Sequence, residues 1–374
     1  MTPETYAVRG RLLLGQHLET GTVIVQDGRI EQIVRSELSN GNLPATVIDA
    51  GIVTPGMIDL QVNGAIGHEV GESAAAIESI ARWMLESGVT AWLPTIVTSA
   101  ASSYPQAFER WYQVDRGIGA TPLGLHLEGP FISLEKKGAH NPEWIVNATD
   151  DILDFWLQQR DILLVTVAPE RDGATERIRR LVDAGILVSL GHTNATFEEF
   201  EAGIDAGARK ATHLFNTMTQ IHHRSPGPMV ATMLDDRITA GLIPDGIHSH
   251  PATVRLACRT KGPDGIAIVS DMMAACGSAP GTYPLGGRDV IVDATSARLA
   301  DGTLAGSILT MDQAVRNVVN WTESSIAEAL HMATAVPARL LGDPGRGRLV
   351  TGARADLTLW TNDLQVKQTL IAPV

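Results

Sequence analysis

Four polar residues stand at the ends of short apolar runs, and this arrangement constrains the fold more than any other feature of the 374-residue chain. The runs read GLHLEG, LVSLGH, KATHLF and IAIVSD, and they place Glu128, His192, His213 and Asp271 at the ends of predicted strands. Helix-like segments alternate with such runs, a pattern typical of a (β/α)8 barrel. Because active sites of these barrels gather at the C-terminal strand ends, we expect the four side chains to meet.

The barrel is predicted to occupy residues 55–344. Its eight strands are predicted at 56–62, 90–97, 122–128, 162–168, 186–191, 210–215, 238–243 and 266–271. Helical periodicity predicts helices at 74–86, 174–184 and 197–207, the last ending on a glycine that can cap it. Residues 279–306 lack a helical period and are dense in glycine and turn pairs, which predicts a β-hairpin insertion folding over the strand ends.

The residue patterns at both ends of the chain predict a separate β-sheet. Short alternating runs predict strands at 6–14, 22–26 and 30–34, with Asp27-Gly28 as a hairpin turn. The stretch GRLVTGARADLTLW at 347–360 predicts two more strands split by a turn. We therefore expect an α/β protein: a TIM-like (β/α)8 barrel plus a small β-sandwich domain formed by residues 1–54 and 345–374.

Composition excludes several classes of partner. The formal net charge of −13 and the pI near 5.3 argue against nucleic acid or an anionic membrane. The N-terminal stretch lacks a signal-peptide pattern, and no apolar run of about 18 residues could span a bilayer. Cys258 and Cys276 have no CxxC or disulfide spacing. We expect a cytoplasmic protein.

One carboxylate and two imidazoles are a plausible ligand set for Zn²⁺ or a similar divalent ion, with open positions for water and substrate. Glu128, His192 and His213 supply that set, and Asp271 then remains as a proton carrier. The structural alternatives are a buried ion pair for Glu128, packed or capping histidines, and a turn cap for Asp271. His126, two residues before Glu128, either supports the ligands or is merely packed.

Eight ordered motifs carry a resemblance to one family. They are PGMIDLQVNG, HLEGPFI with KKGAHNP, GHTNAT, ATHLFNTM, HHRSPG, PDGIH, VSDMM and LAGSILTM. Together they resemble the N-acetylglucosamine-6-phosphate deacetylases of the amidohydrolase superfamily, over nearly the whole chain. The resemblance implies hydrolysis of that sugar phosphate to glucosamine 6-phosphate and acetate, and it suggests a homodimer.

The resemblance also assigns roles to residues. It implies that Asp271 is the general acid and base and that His140 assists at the reacting carbonyl. Many amidohydrolases bind a second metal through HxH at the first strand, where this chain has Gln61 and Asn63. Because neutral amides are poor zinc ligands, we expect one ion per chain, most simply Zn²⁺.

Substrate contacts follow from the same resemblance. The residues implied are Ala139, His140, Asn216, Thr217, Arg224, His248, Leu304, Ala305 and Gly306. Arg224 and His248 would hold the phosphate, because an arginine fork suits that anion and no glycine-rich phosphate loop is present. His222 and His223 could serve their own site or a neighbour's. Two alternatives stay open: another amidohydrolase reaction on the same scaffold, and a barrel that only binds.

Overall fold

A computed structural model of the chain describes residues 5–35, 43–146 and 149–373. Its strands are β1 Thr5–Leu14, β2 His17–Gln26, β3 Arg29–Val34, β4 Val47–Pro55, β5 Met57–Val62, β6 Gly64–Ala65, β7 His68–Glu69, β8 Val89–Val97, β9 Thr121–Pro122, β10 Leu125–Glu128, β11 Ile162–Val167, β12 Leu187–Leu190, β13 Lys210–Ala211, β14 Thr239–Leu242, β15 Ile266–Ile268, β16 Gly281–Leu285, β17 Arg288–Val292, β18 Ala297–Arg298, β19 Leu357–Trp360 and β20 Val366–Leu370.

The helices lie mostly between successive strands of the central sheet. They are α1 Ala74–Met84, α2 Tyr104–Trp111, α3 Pro142–Val146, α4 Asp150–Trp156, α5 Ala174–Asp183, α6 Phe197–Asp205, α7 Gly227–Leu234, α8 Pro251–Lys261, α9 Met311–Trp321, α10 Ile326–Ala333 and α11 Ala335–Leu340. Helices α1, α5 and α6 confirm the three helices predicted from periodicity. Within the described parts of the chain, no helix has the length and apolar character needed to cross a membrane.

Eight parallel strands form the barrel in the predicted chain order. The hydrogen-bonded sequence is β5, β8, β10, β11, β12, β13, β14 and β15. Backbone hydrogen bonds from Asp271 N to Gln61 O (3.0 Å) and from Asn63 N to Met272 O (2.8 Å) join the two ends of this series. The sheet is thus nearly closed, and its apolar outer face packs against the surrounding helices in one large core.

Two barrel strands end earlier than predicted, and the reason is local. Strand β13 stops at Ala211 and β15 stops at Ile268, whereas the strands were predicted to continue to residues 215 and 271. His192, His213 and Asp271 have positive φ angles of 47°, 28° and 52°. A residue in this left-handed region cannot continue a strand, so the backbone turns where the polar side chains begin.

The chain ends build one sheet, as predicted. Its order is β20, β19, β4, β1, β2 and β3, so the last two strands lie beside the first four. Ile30 N donates to Ala353 O (2.9 Å) and Gly352 N donates to Ile30 O (2.8 Å), which brings the segment before β19 against β3. The sheet therefore curls around its own apolar core, which is separate from the core of the barrel.

One prediction within this sheet was wrong. Residues 347–360 were expected to hold two strands, but only β19 is regular, and β20 follows it instead. Leu349 and Ala353 are buried as in a strand, which explains the misleading pattern. Positive φ at Gly347 and Gly352 keeps the backbone between them irregular. The domain boundaries at residues 54 and 345 remain a prediction.

The predicted insertion is a three-stranded antiparallel sheet. Strands β16 and β17 form a hairpin through Gly286-Gly287, both at positive φ, and β18 pairs with β17. Leu285, Val290 and Ala305 pack in a small core with Met273, which follows the last barrel strand. This contact seats the hairpin over the C-terminal end of the barrel.

Candidate active site

Three ligand-type atoms converge at the C-terminal mouth of the barrel. Glu128 is the last residue of β10, and His192 and His213 follow β12 and β13. Glu128 Oε1 lies 3.2 Å from His213 Nε2 and 3.3 Å from His192 Nε2, and the two Nε2 atoms lie 3.1 Å apart. All three side chains are almost completely buried.

These spacings fit a single divalent ion. Ligand bonds of about 2.0–2.1 Å in tetrahedral geometry place ligand atoms about 3.3–3.4 Å apart, close to the three observed separations. The contact between the two Nε2 atoms is also close to the separation expected when both bind the same ion. His140 is a fourth nearby group, and its Nε2 lies 3.9 Å from Glu128 Oε2. Glu128, His140 and His192 also lie within ligand-sharing distance, but His213 is closer to the carboxylate than His140.

The tautomer of His192 is set by a backbone carbonyl. His192 Nδ1 lies 2.9 Å from Lys136 O, so Nδ1 carries the proton and Nε2 keeps its lone pair. Burial raises the pKa of Glu128, but hydrogen bonds and charge interactions with His192 and His213 outweigh this and hold it well below the usual range. Burial lowers the pKa of His213. The Glu128 carboxylate is therefore ionised, which is the form that binds a metal ion, and burial favours the neutral, metal-binding form of His213.

Asp271 stands beside the ligand set without joining it. Gln61 Nε2 donates to both Glu128 Oε1 (2.9 Å) and Asp271 Oδ1 (3.0 Å), and Asn63 Nδ2 donates to Asp271 Oδ1 (2.7 Å). Burial raises the pKa of Asp271, and the negative charge of Glu128 adds to the effect. A carboxyl group with a pKa moved toward neutrality is suited to accept and return a proton.

His140 presents one ring nitrogen to the same space. Its Nδ1 accepts from Thr98 N (3.3 Å) and contacts Thr98 Oγ1 (2.7 Å), which assigns the proton to Nε2. Burial lowers the pKa of His140 to about 3, so the ring is neutral and can donate one hydrogen bond. A neutral donor of this kind can stabilise an oxyanion that forms next to the metal position.

A hydrogen-bonded polar layer lies one step deeper in the barrel. His126 contacts Thr95 Oγ1 through Nδ1 (3.3 Å) and Thr166 Oγ1 through Nε2 (2.8 Å). Thr166 Oγ1 in turn contacts Thr212 Oγ1 at 2.8 Å, and Ser189 Oγ contacts Thr212 Oγ1 at 2.5 Å. The sequence left open whether His126 supports the ligands. It lies in the layer beneath them and makes no direct contact with them at hydrogen-bonding distance.

A cavity opens above these groups, and most of the residues expected to contact substrate line it. Those on its wall are Asn63, Ala139, His140, Asn216, Thr217, His248, Leu304 and Gly306, together with Glu128, His192, His213 and Asp271. His248 Nδ1 is held by Asp245 Oδ2 at 2.6 Å, which leaves its Nε2 for a ligand. The structure thus brings these residues together around one cavity.

Two expected contacts are not on this wall. Ala305 is fully buried in the small core beneath the hairpin, and its backbone N donates to Ala297 O (3.0 Å). Its neighbours Leu304 and Gly306 reach the cavity instead. Arg224 is exposed on the loop after β13 and lies beside His223 Nε2, 2.7 Å from its Nη1. Within the described residues of this single chain, Arg224 does not line the cavity.

Several wall residues were missed by the sequence. Val97 and Thr98, at the end of β8, line the cavity, and so do Gly138, Leu285 and Gly286. The sequence could have indicated Thr98, because this residue follows a predicted barrel strand, as the predicted metal ligands do. Leu285 and Gly286 belong to the insertion, whose position over the strand ends was expected but whose contacting residues were not.

A barrel with a carboxylate and imidazoles gathered at the C-terminal strand ends defines a metal-dependent hydrolase of the amidohydrolase class. The amidohydrolase family matches residues 52–372. Individual relatives of the chain indicate a narrower family within this class. A human N-acetylglucosamine-6-phosphate deacetylase is 38% identical over 382 residues, covering 97% of this chain and 93% of the relative. The chain belongs to the N-acetylglucosamine-6-phosphate deacetylase family.

Two further similarities bear on fold and substrate. The crystal structure of the N-acetylglucosamine-6-phosphate deacetylase from Pasteurella multocida superposes with a TM-score of 0.91 at 33% identity, covering 99% of this chain and 98% of that one. An Escherichia coli protein named N-acetylgalactosamine-6-phosphate deacetylase is 38% identical over 372 residues, covering 97% of both chains. Two epimeric sugars are therefore represented among close relatives.

Proposed function

We propose that this chain hydrolyses the acetamide of N-acetylglucosamine 6-phosphate to glucosamine 6-phosphate and acetate, in amino-sugar catabolism and recycling. The observation that carries the proposal is the cluster of Glu128, His192 and His213 ligand atoms, 3.1–3.3 Å apart, beside the proton-carrying carboxyl of Asp271. It lies in a chain 38% identical to a deacetylase of that name.

One divalent ion per chain, most simply Zn²⁺, would be held by Glu128, His192 and His213. A second ion is disfavoured, since the neutral amides of Gln61 and Asn63, whose nitrogens donate to Asp271, are poor ligands for zinc. When bound, the ion supplies Lewis-acid chemistry, lowering the pKa of water and polarising the acetyl carbonyl.

The side chains supply the proton transfers. Asp271 takes a proton from the attacking water as the bond from water oxygen to acetyl carbon forms. His140 donates through Nε2 to the carbonyl oxygen as negative charge develops there. Asp271 then delivers its proton to the sugar nitrogen, the carbon–nitrogen bond breaks, and acetate and the amine leave. No serine or cysteine stands in a nucleophile-elbow context, so a covalent intermediate is not required.

Substrate recognition divides between the cavity wall and the rim. Ala139, Asn216 and Thr217 line the wall near the metal position, and Leu304 and Gly306 line the side formed by the insertion. His248 and Arg224 would bind the phosphate. Because Arg224 is exposed and off the wall of its own cavity, it would reach the phosphate through loop movement or from a second subunit.

A homodimer and a cytoplasmic location are part of the proposal. Leu134, Ile221 and Ile247 are large exposed apolar residues on loops that follow barrel strands, where a second copy could cover them. Cys258 and Cys276 are free and buried, as expected in a reducing compartment.

The epimeric sugar phosphate is a second candidate substrate. The Escherichia coli relative named for N-acetylgalactosamine 6-phosphate is as similar to this chain as the human relative. The two sugars differ only at one hydroxyl, so the same metal and proton chemistry applies to both. A comparison of kcat/KM on the two phosphorylated sugars decides between them.

Acetate release by chelated and remetallated enzyme tests the activity. We expect chelated protein to be inactive on N-acetylglucosamine 6-phosphate and one equivalent of Zn²⁺ to restore turnover. Unphosphorylated N-acetylglucosamine serves as the control substrate and should react poorly. Equal rates on both sugars would favour another amidohydrolase reaction, and protein that holds no metal and releases no acetate would be a barrel that only binds.

A further inference from the structure

One stretch of the cavity wall is apolar and takes no part in metal binding or proton transfer. Val97 is the last residue of β8, and Leu285 and Gly286 lie at the turn of the insertion hairpin. Val97 and Leu285 share the small apolar core beneath this hairpin. A side-chain carbon at Gly286 would lie 2.8 Å from Val97 Cγ2, so the backbone of the turn lies directly against the valine.

Val97 faces the inside of the barrel, beside a predicted metal ligand. In the parallel pairing of β8 with β10, Val97 is the partner of Glu128 and Thr95 is the partner of His126. Thr95 Oγ1 contacts His126 Nδ1 at 3.3 Å in the polar layer, so the Thr95 side chain points inward. Residues two apart on a strand point to the same face, so Val97 points inward at the level of Glu128.

The strand order places Val97 across the mouth of the barrel from the residues proposed to bind the sugar phosphate. In the nearly closed series of eight strands, β8 is the second and β13 is the sixth, so the two strands stand opposite each other. Asn216 and Thr217 follow β13 and His248 follows β14, and all three line the cavity. A sugar phosphate bound by these residues occupies the side of the cavity that faces β8.

The shape of the acetamide then determines where its methyl group goes. A secondary amide is planar and trans, which places its acyl carbon chain and its nitrogen substituent on opposite sides of the carbon–nitrogen bond. With the sugar on the β13 and β14 side, the methyl group points toward β8. His140, the proposed donor to the carbonyl oxygen, is also tied to β8, because its Nδ1 contacts Thr98 Oγ1 at 2.7 Å.

An outer cleft lies behind this part of the wall. It is lined by residues of the segment after β5, the end of β8, helix α3 and the hairpin turn, among them Glu69, Ile96, Ser99, Trp144, Gly286 and Gly287. Gly286 borders both this cleft and the cavity. Glu69 Oε1 accepts a hydrogen bond from Gly286 N (2.7 Å), which holds the turn in place. Only a thin wall therefore separates the two spaces where Val97 meets the turn.

We propose that Val97, together with Leu285 and Gly286, forms the acyl subsite, and that the two methyl groups of Val97 limit the substrate to an acetyl group. The inference rests on the proposed deacetylase function and deepens it by naming the residues that select the acyl chain. A longer chain meets the valine and the backbone of the hairpin turn. A smaller residue at position 97 leaves space for one or two more methylene groups.

The test is acyl-chain selectivity in a chain with a smaller residue at position 97. Full-length, Zn²⁺-loaded wild type and Val97→Ala are assayed on the N-acetyl, N-propanoyl and N-butanoyl forms of glucosamine 6-phosphate. All three release the same amine, so one amine assay gives kcat/KM for each. We expect wild type to lose about tenfold or more in kcat/KM for each added methylene group. Val97→Ala should raise the ratio of propanoyl to acetyl kcat/KM by about tenfold or more.

Val290→Ala is the matched control. Val290 is fully buried in the same small core, and among the described residues it is not part of the cavity wall. Its selectivity ratio should equal that of wild type. If Val97→Ala does not fold, Leu285→Ala repeats the measurement from the insertion side of the subsite.

Three results would overturn the inference while leaving the deacetylase proposal standing. They are equal kcat/KM values of wild type on the three acyl groups, an unchanged ratio in the folded subsite variant, and an equal rise of the ratio in Val290→Ala. Failure of the Zn²⁺-loaded wild type to release acetate would instead overturn the deacetylase proposal.

Discussion

At the residue scale, the site is marked by backbone conformation as much as by side-chain chemistry. His192, His213 and Asp271 all occupy the left-handed region, which is uncommon for residues other than glycine. Each such residue costs about 1–3 kcal/mol and persists only where its surroundings determine it. The turn at each strand end directs the side chain toward a common point. The backbone strain therefore accompanies the convergence of side chains that a metal site requires.

Asp271→Asn should separate metal binding from turnover. Asparagine keeps the size and one acceptor oxygen but cannot carry a proton, so kcat should fall by about 100-fold or more while Zn²⁺ content and substrate binding persist. Metal analysis, a substrate-binding measurement and acetate release on the same sample check this. Near-normal turnover would assign the proton transfer to another group.

His192→Ala and His213→Ala should each lose most metal and most activity together. Two remaining ligands hold a divalent ion poorly, because affinity depends on the full ligand set. Elemental analysis of the purified variants measures this. The control is His68→Ala, since His68 pairs with Glu72 away from the ligand set and should keep one ion. A variant at 192 or 213 that retains stoichiometric metal would show that the ligands are wrongly assigned.

Which of these residues the sequence could predict depends on the kind of signal each carries. Glu128, His192, His213 and Asp271 interrupt apolar runs at strand ends, so a periodic pattern locates them. Lys210, the buried first residue of β13, lies at the other end of such a run and looks like an ordinary exposed strand start. Its burial depends on Gly241 of the next strand, a tertiary fact that no local pattern contains.

At the scale of elements, loops and the insertion complete the site that the strands begin. The barrel strands and the three predicted helices were predictable from hydrophobic periodicity, and the strand order followed from the alternation of strands and helices. The ends of β13 and β15 were not, because left-handed residues stopped them within apolar runs. The segment at 347–355 was misread because its buried residues have the spacing of a strand while glycines break its backbone.

The loop that carries Arg224 provides a test of phosphate recognition. A charge-assisted hydrogen bond contributes about 1.5–3 kcal/mol, so Arg224→Ala should lower kcat/KM for the phosphorylated sugar by roughly ten- to a few-hundred-fold. The rate on unphosphorylated N-acetylglucosamine, which we expect to be low in wild type, should barely change. Arg237→Ala is the control, because Arg237 pairs with Asp205 and Asp235 and does not line the cavity. An equal loss on both substrates would mean that Arg224 supports the fold or the chemistry.

At the scale of the whole molecule, the chain passes directly from the sheet into the barrel at one glycine. Gly56 separates β4 of the sheet from β5 of the barrel, and its N donates to Asp356 O (2.8 Å). A side-chain carbon at this position would clash with the buried side chain of Thr90 on β8. The two units are thus joined where there is no room for any side chain.

Gly56→Ala should therefore destabilise the entire chain. Overpacking of this kind costs about 1–3 kcal/mol, and we expect a lower Tm in thermal unfolding. Gly71→Ala is the matched control, because an added carbon there meets nothing within 4 Å. A Tm for Gly56→Ala equal to that of Gly71→Ala would show that Thr90 moves aside at little cost.

The pairing of the chain's two ends has a consequence for synthesis. Strand β4 pairs with β1 on one side and with β19 on the other. Strand β19 follows β4 by about 300 residues in the sequence. While the ribosome is still making the barrel, the β19-facing edge of β4 has no partner and exposes backbone groups to other nascent chains. We expect a chain truncated before residue 357 to retain the barrel strands but to leave this edge of β4 open, and therefore to aggregate more readily than the full chain.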